Sequence, residues 1–273
     1  MKITAMKMIL VYINIAVVGL FSANSSYAII DTKSLVGMWL FDEDDDIVED
    51  KSGNGNDGTL MGRPKWVDGK FGGGLEFNGS NYVMVPDSDS LDMTDAVTVM
   101  FWFATDKKMG VFEDRQAVVG KHYLEYEVGI YPAGAIHTYT NDGTGGGYDE
   151  GINTGISGKL PDKDADWELG KWYHLAWTLD GNHETVYVNG VLIGEFNKPH
   201  EGTQAQGHTL EIGRRQGGSL AFIGIVDEVA VFNIALEQED VQEAFERGLE
   251  EALGMTAVFP ADKLATTWGQ VRK

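Results

Sequence analysis

From Leu35 onward, apolar residues recur at every second position in short runs, and glycine or asparagine punctuates the runs. Alternation of period two places successive side chains on opposite faces, so the pattern predicts antiparallel strands joined by tight turns. In Val97 to Phe103 (VTVMFWF), Val97, Val99, Phe101 and Phe103 share one face, while Thr98, Met100 and Trp102 share the other. Both faces are largely apolar, which predicts a central strand covered on two sides, with Trp102 in packing. Trp172 to Leu179 (WYHLAWTL) reads as another strand, with Tyr173, Leu175, Trp177 and Leu179 on one face. Its expected neighbour is a hairpin over Glu184 to Phe196 (ETVYVNGVLIGEF), where Asn189 and Gly190 supply the two positive-φ positions of a type I′ turn.

The period changes to a helical one near the end. Glu237 to Leu253 places Val241, Phe245, Leu249 and Ala252 on one stripe, predicting a single amphipathic helix packed on the sheets. Tyr139 to Lys159 is glycine-rich and acidic, with Gly145 to Gly147 consecutive, and reads as a long exposed loop. Leu264 and Trp268 stand in a tail, 255–273, that has no firm period. With no internal repeat and no second pattern shift, residues 29–254 read as one all-β domain.

The first residues do not belong to that pattern. Lys2 and Lys7 precede an apolar run from Met8 to Phe21, and Ser26, Tyr27 and Ala28 follow. This predicts a signal peptide over 1–28, cleaved after Ala28, and therefore a secreted or periplasmic protein. The run is too short for the ~20 residues of a membrane span, so none is expected after cleavage. Loss of the leader removes two lysines and no acid, which moves the formal charge from -21 to -23. Such acidity disfavours nucleic acid and suits cations or neutral ligands. Export permits disulfides, yet Cys is 0, so stability must come from the core or a metal.

Carboxylates interrupt the two end segments, Leu35 to Asp50 (LVGMWLFDEDDDIVED) and Ala221 to Phe232 (AFIGIVDEVAVF). If these ends pair, Asp42 and Asp227 approach and repel unless a cation, a basic group or water screens them. Asp227 also breaks the apolar face of Ile223, Ile225 and Val229, where an unpaired charge is costly. Two plainer accounts compete: a solvated acidic loop at Asp42 to Asp50, and Asp227 capping a backbone turn.

Several segments together carry a resemblance: Trp39-Leu40-Phe41-Asp42-Glu43, Asp50 to Gly58 (DKSGNGNDG), Leu75 to Gly79 (LEFNG), Trp172 with His174, Val186 to Gly190 (VYVNG), and Val226-Asp227-Glu228-Val229 before Phe232. Over Leu35 to Leu253 the chain resembles the laminin G-like, concanavalin A-like jelly-roll family of secreted modules. The resemblance implies an antiparallel two-sheet jelly-roll β-sandwich whose first and last strands are neighbours. It also implies a structural calcium ion (Ca2+), with Asp227 giving a carboxylate, the Asn78–Gly79 turn a carbonyl, and Asp42, Glu43 and Asp50 further oxygens.

The same fold hosts glycoside hydrolases, so catalysis needs its own residues. Glu125 and Glu127 in YLEYEVGIY are the test pair, since a spacing of two puts both on one face. The retaining pattern Glu-x-Asp-x-x-Glu is incomplete, because Ile130 takes the third place, and an exposed strand face is the competing account. The six histidines are scattered without ligand spacing, so zinc has no support, and His174 reads as packing. Sugar or protein contacts would then fall to Tyr139, Asn141, Tyr148 and Arg215, which offer ring faces and hydrogen-bonding groups on the concave sheet and its rim. The leading expectation is a secreted, non-catalytic module that binds an extracellular glycan or protein with a structural calcium. A hydrolase using Glu125 and Glu127 and a structural or adhesive surface module are the alternatives.

Overall fold

The computed structural model describes residues 30–43, 45–141, 149–150, 166–197 and 202–255. The expected leader, the tail beyond 255 and Tyr148 lie outside these residues. The first strands are β1 (Leu35–Trp39), β2 (Ile47–Val48), β3 (Gly58–Met61), β4 (Lys65–Asp68), β5 (Gly73–Asn78) and β6 (Tyr82–Val85). Then come β7 (Ala96–Thr105), β8 (Gln116–Gly120), β9 (Tyr126–Tyr131), β10 (Ala135–Thr140) and β11 (Asp149–Glu150). The last are β12 (Tyr173–Asp180), β13 (His183–Val188), β14 (Val191–Asn197), β15 (Leu210–Ile212) and β16 (Ile223–Phe232), followed by helices α1 (Gln238–Arg247) and α2 (Leu249–Ala252).

These strands form two antiparallel sheets. One runs β14-β13-β12-β7-β16-β5-β4, with β1 also on β16; the other runs β11-β10-β9-β8-β15-β6-β3-β2. Between them lies the main core, where Trp39, Phe77, Phe101, Phe103 and Trp177 of the first sheet face Val83, Tyr126, Val128, Ile130 and Ile212 of the second. A second cluster, including Met38, Met100, Tyr187 and Phe232, covers the outer face of the first sheet beneath Val241, Ala244 and Leu249 of the helices. This double burial is why β7 reads apolar on both faces. Trp102 belongs to the outer layer, stacked on Phe245 of α1 at 5.4 Å between centroids, with the His174 ring 5.3 Å away. His174 is packing, as expected, and burial drives it to about 3, so the ring is neutral.

The hairpin forms as the sequence demands, with Asn189 at φ 52 and Gly190 at φ 74 between β13 and β14. The end strands pair in the anticipated way, Leu35 opposite Phe232 and Trp39 opposite Val229. The terminal helix is interrupted. Gly248 adopts φ 80 and ψ 164, a conformation that breaks the helical stripe, and the Glu228 carboxylate takes the Leu249 N–H that opens α2. A lone helix over Glu237 to Leu253 overlooked that glycine.

Candidate functional site

The outer face of the second sheet carries a polar constellation instead of a helix. Outward residues fall in register across five strands: Met84 (β6), Glu211 (β15), Gly120 (β8), Glu127 (β9) and Tyr139 (β10). Gly120 has no side chain because Glu127 lies over it; a Cβ there would stand 2.9 Å from the Glu127 Cβ. One row along, Gly129 leaves space for His137, whose ring would meet a Cβ at 2.4 Å. Glycine inside a strand signals close approach of another group, and here both groups are polar side chains.

Arg215 reaches this row from the loop after β15. Its guanidinium meets Glu127 through two nitrogens, Nη2 to Oε1 at 2.6 Å and Nε to Oε2 at 2.9 Å. The rings of Tyr123 and Tyr139 lie 4.9 and 4.8 Å from it, within cation–π range. Burial pushes the Glu127 carboxyl up, but the approach of His137 and the bonds from Arg215 outweigh it, so the net shift is downward. His137 Nε2 lies 3.3 Å from Glu127 Oε1 without hydrogen-bond alignment, and burial lowers that ring too. A neutral His137 leaves Arg215 as the charge that keeps Glu127 ionised. Next to it, Arg214 pairs with Glu211 at 2.6 Å and covers the Tyr82 ring at 3.3 Å.

A second group borders the first. The Lys121 ammonium is fully buried against Asp92, Asp87 at 2.7 Å and Glu125 at 3.3 Å. Glu125 Oε1 also accepts from the His208 backbone N–H at 3.1 Å and contacts His208 Nδ1 at 2.7 Å. The His208 ring stacks on His122 at 4.2 Å, and His122 meets Tyr123 at 4.1 Å. His122 holds φ 79, a left-handed conformation that is strained for a residue with a side chain. Burial and the neighbouring His208 lower its pKa to about 4, so it is neutral at physiological pH. His122, Tyr123, His208 and Arg215 are half-buried, the Arg215 and His208 side chains 14% and 25% exposed, whereas Glu127, His137 and Tyr139 lie buried behind them. The result is a ladder of rings and one guanidinium edge, backed by ion pairs.

The expected site residues distribute unevenly. Arg215 and Tyr139 come together, but Tyr139 and Asn141 are buried rather than on an open rim, Asn141 accepting from Gln204 at 3.0 Å. Tyr148 lies outside the described residues. Glu125 and Glu127 share a face, yet each is only 1% exposed and bound to cations, so the exposed-strand account is overturned. Sequence reasoning missed His122, Tyr123, Lys121, His137 and His208, because their grouping depends on cross-strand register; Gly120 and Gly129 were the available signals.

The six residues anticipated for calcium do not converge as a set. Asn78 pairs with Ile223, four residues along β16 from Asp227 and so ~13 Å away at ~3.3 Å per residue, and Gly79 lies beyond it. Asp50 is saturated by Met38 N, Ser52 N, Ser52 Oγ and Asn56 N. Glu43 is engaged by Lys51 at 2.7 Å. Asp42 and Asp227 both cap the Gly69–Gly73 turn: Asp42 accepts from Gly73 N at 2.7 Å, and Asp227 Oδ2 from Lys70 N and Phe71 N at 2.7 and 2.9 Å. Asp227 Oδ1 is buried without a donor. Burial chiefly raises Asp227 to about 7 and Glu228 to about 8, and Asp42 adds repulsion to both. Among the described residues no group of three or more His, Cys, Asp or Glu is arranged to hold a metal. Asp227 is therefore first a turn cap, and its second oxygen is left without a donor.

Residues 77–242 match the model of the Concanavalin A-like lectin/glucanases superfamily. Domain 4 of AbnA, an extracellular GH43 arabinanase from Geobacillus stearothermophilus solved in complex with arabinotriose, superposes with a TM-score of 0.59 at 21% identity, covering 77% of this chain and 97% of that one. The binding domain of Paraclostridial Mosquitocidal Protein 1 gives 0.56 at 17% identity, covering 78% of this chain and 52% of that one. A botulinum neurotoxin type C structure, from work tying its cell entry to two ganglioside molecules, gives 0.59 at 12% identity over 80% of this chain and 52% of that one. At these identities the likeness concerns fold, and it agrees with the jelly-roll architecture. A search of curated protein sequences finds no significant match.

Proposed function

The chain belongs to the Concanavalin A-like lectin/glucanases superfamily, and from that premise we propose that it is a secreted, non-catalytic module that binds neutral oligosaccharide on the outer face of its second sheet. The observation that carries this reading is the half-buried ladder Tyr123–His122–His208, flanked by the Arg215 guanidinium. Ring faces stack on the apolar faces of sugars, while guanidinium and imidazole edges bond hydroxyls. The buried layer of Glu127, His137 and Tyr139 fixes those groups in advance, which lowers the ordering cost of binding. Arabinotriose in the complex of the arabinanase domain supports the oligosaccharide class. The botulinum neurotoxin binding domain solved with synaptotagmin, and the type C toxin whose cell entry depends on two gangliosides, keep larger glycans and proteins as further ligand classes.

Hydrolysis is supported less well. A retaining or inverting mechanism needs one carboxylic acid that delivers a proton to the leaving oxygen. Glu127 is held ionised by Arg215, and both oxygens of Glu125 are occupied, by His208 and Lys121. Secretion rests on the N-terminal pattern of Lys2 to Ala28; among the described residues no helix is long and apolar enough to cross a membrane. Calcium belongs to the proposal in a narrower form, an ion held by Asp42 and Asp227 that relieves their repulsion at the seam of β1 and β16.

The test is an array of neutral, sialylated and uronate-bearing oligosaccharides probed with the purified protein. Retention on neutral pentose or hexose oligomers, lost in Tyr123→Ala, is the expected result. Retention on none of them, or equal retention by the variant, overturns the assignment.

A further inference from the structure

A second surface lies on the open side of the sandwich, away from the ring ladder. β4 ends the first sheet, and its outer edge pairs with no strand among the described residues. Its Trp66 points inward, half-buried, and packs on the core at the mouth between the sheets. Three recesses meet at this indole: a narrow one beside Ile47 and Val48, one of ≈ 530 Å³ beside Phe41 and Val67, and one of ≈ 400 Å³ beside Leu60 and Pro64. Ile47, on β2 at the end of the other sheet, is 57% exposed. The groove is thus apolar along its floor and bordered by an unpaired strand edge.

Its rim has one sign. Asp42, Glu43, Asp45, Asp46, Glu49 and Asp68 all line it and are all exposed. Against these six stand two basic residues in the lining, Lys51 and Arg63. Lys51 is already bound to Glu43 and Glu49, and nearby Lys65 is bound to Glu76. An anionic or neutral occupant would leave that rim unused. A small cation would leave the strand edge unused.

We propose that this groove docks a basic polypeptide segment in extended conformation, which adds as a strand to the free edge of β4. The added strand supplies the missing main-chain hydrogen bonds, as in other cases of strand addition. Lysine or arginine side chains lay their aliphatic stems on Trp66, with the charge over or beyond the ring, and their heads meet the six carboxylates. This partner is independent of the sugar reading, since it uses a different sheet edge and none of the ladder residues.

Calorimetric titration of the full chain in EDTA at low salt, with end-blocked hexalysine, hexaarginine and a hexameric Gly-Ser control, tests it. The basic peptides are expected to bind at least about tenfold tighter than the control, and to weaken in 0.5 M NaCl as rim attraction is screened. Asp45→Asn with Asp46→Asn should weaken them about threefold, and Trp66→Phe, which keeps the packing, by a similar factor. Tyr123→Ala should leave them unchanged. Basic peptides that bind no better than Gly-Ser overturn the proposal, as does affinity indifferent to both groove variants, which would mark diffuse attraction to an acidic chain. Free lysine binding as tightly as hexalysine would also overturn it, because no strand is then added.

Discussion

Breaking the Glu127–Arg215 pair measures how far the candidate site is built on buried charge. Glu127 is 1% exposed and takes three close contacts from Arg215, at 2.6, 2.9 and 3.1 Å. Glu127→Gln leaves a guanidinium facing an amide beside two tyrosines, and Arg215→Met leaves a carboxylate with only neutral His137 beside it. Removing one partner of a buried pair costs about 3 to 5 kcal/mol, because the other charge is stranded. At ~2–4 °C per kcal/mol for a chain of this size, each single variant should melt roughly 6–20 °C lower. The double variant strands no charge, so its loss should fall short of the sum of the singles by about 2 kcal/mol. Calorimetric melting of the four proteins gives the cycle directly. Additive losses, or single variants within about 0.5 kcal/mol of the parent, would refute the claim that Arg215 is what keeps Glu127 charged.

Three further outcomes follow from the seam and the sheet face. Asp227 and Glu228 are raised by burial to about 7 and about 8, so the folded state keeps protons that the unfolded chain releases above its ordinary carboxylate range. Their contribution to stability is fully present below about pH 4 and is lost as pH rises through 7 to 8. Melts from pH 5 to 8.5 should show the fall, and Asp227→Asn should flatten it; an unchanged slope in the variant would contradict the assignment. If calcium sits at Asp42–Asp227, chelation lowers the melting temperature at pH 8 and Asp227→Asn abolishes that sensitivity, an effect of ~2.7 kcal/mol at 100 times the dissociation constant. Identical melts with and without chelator remove calcium from the account. Reducing-sugar release from glucans, galactans and arabinans should be nil for the parent, and activity that vanishes in Glu125→Gln or Glu127→Gln would instead establish a hydrolase.

Much of the architecture was legible in the chain because it rests on local periodicity. β7, β12 and the Asn189–Gly190 hairpin each declare themselves within ten residues or fewer. The closure of β1 on β16 was legible through resemblance, and Asp42 and Asp227 cap one turn beside that seam. The candidate site was much less so. Its members come from β9, β10, the turn before β9 and the loops on either side of β15, and what unites them is register across the sheet. Alternation shows that Glu125 and Glu127 share a face, but it cannot show that Lys121 and Arg215 arrive to neutralise them. The expected calcium ligands are dispersed for related reasons: the Asn78 turn lies four residues along β16 from Asp227, and the Asp50 oxygens are taken by Met38, Ser52 and Asn56.

The most direct measurement is isothermal titration of a neutral oligosaccharide, beginning with arabino-oligosaccharides, into the parent protein and into Tyr123→Ala. The ladder account predicts saturable binding by the parent and a loss of about 1 to 3 kcal/mol, roughly five- to 150-fold, in a variant shown by its melt to remain folded. Full affinity in Tyr123→Ala would place the sugar elsewhere on the molecule and contradict the account.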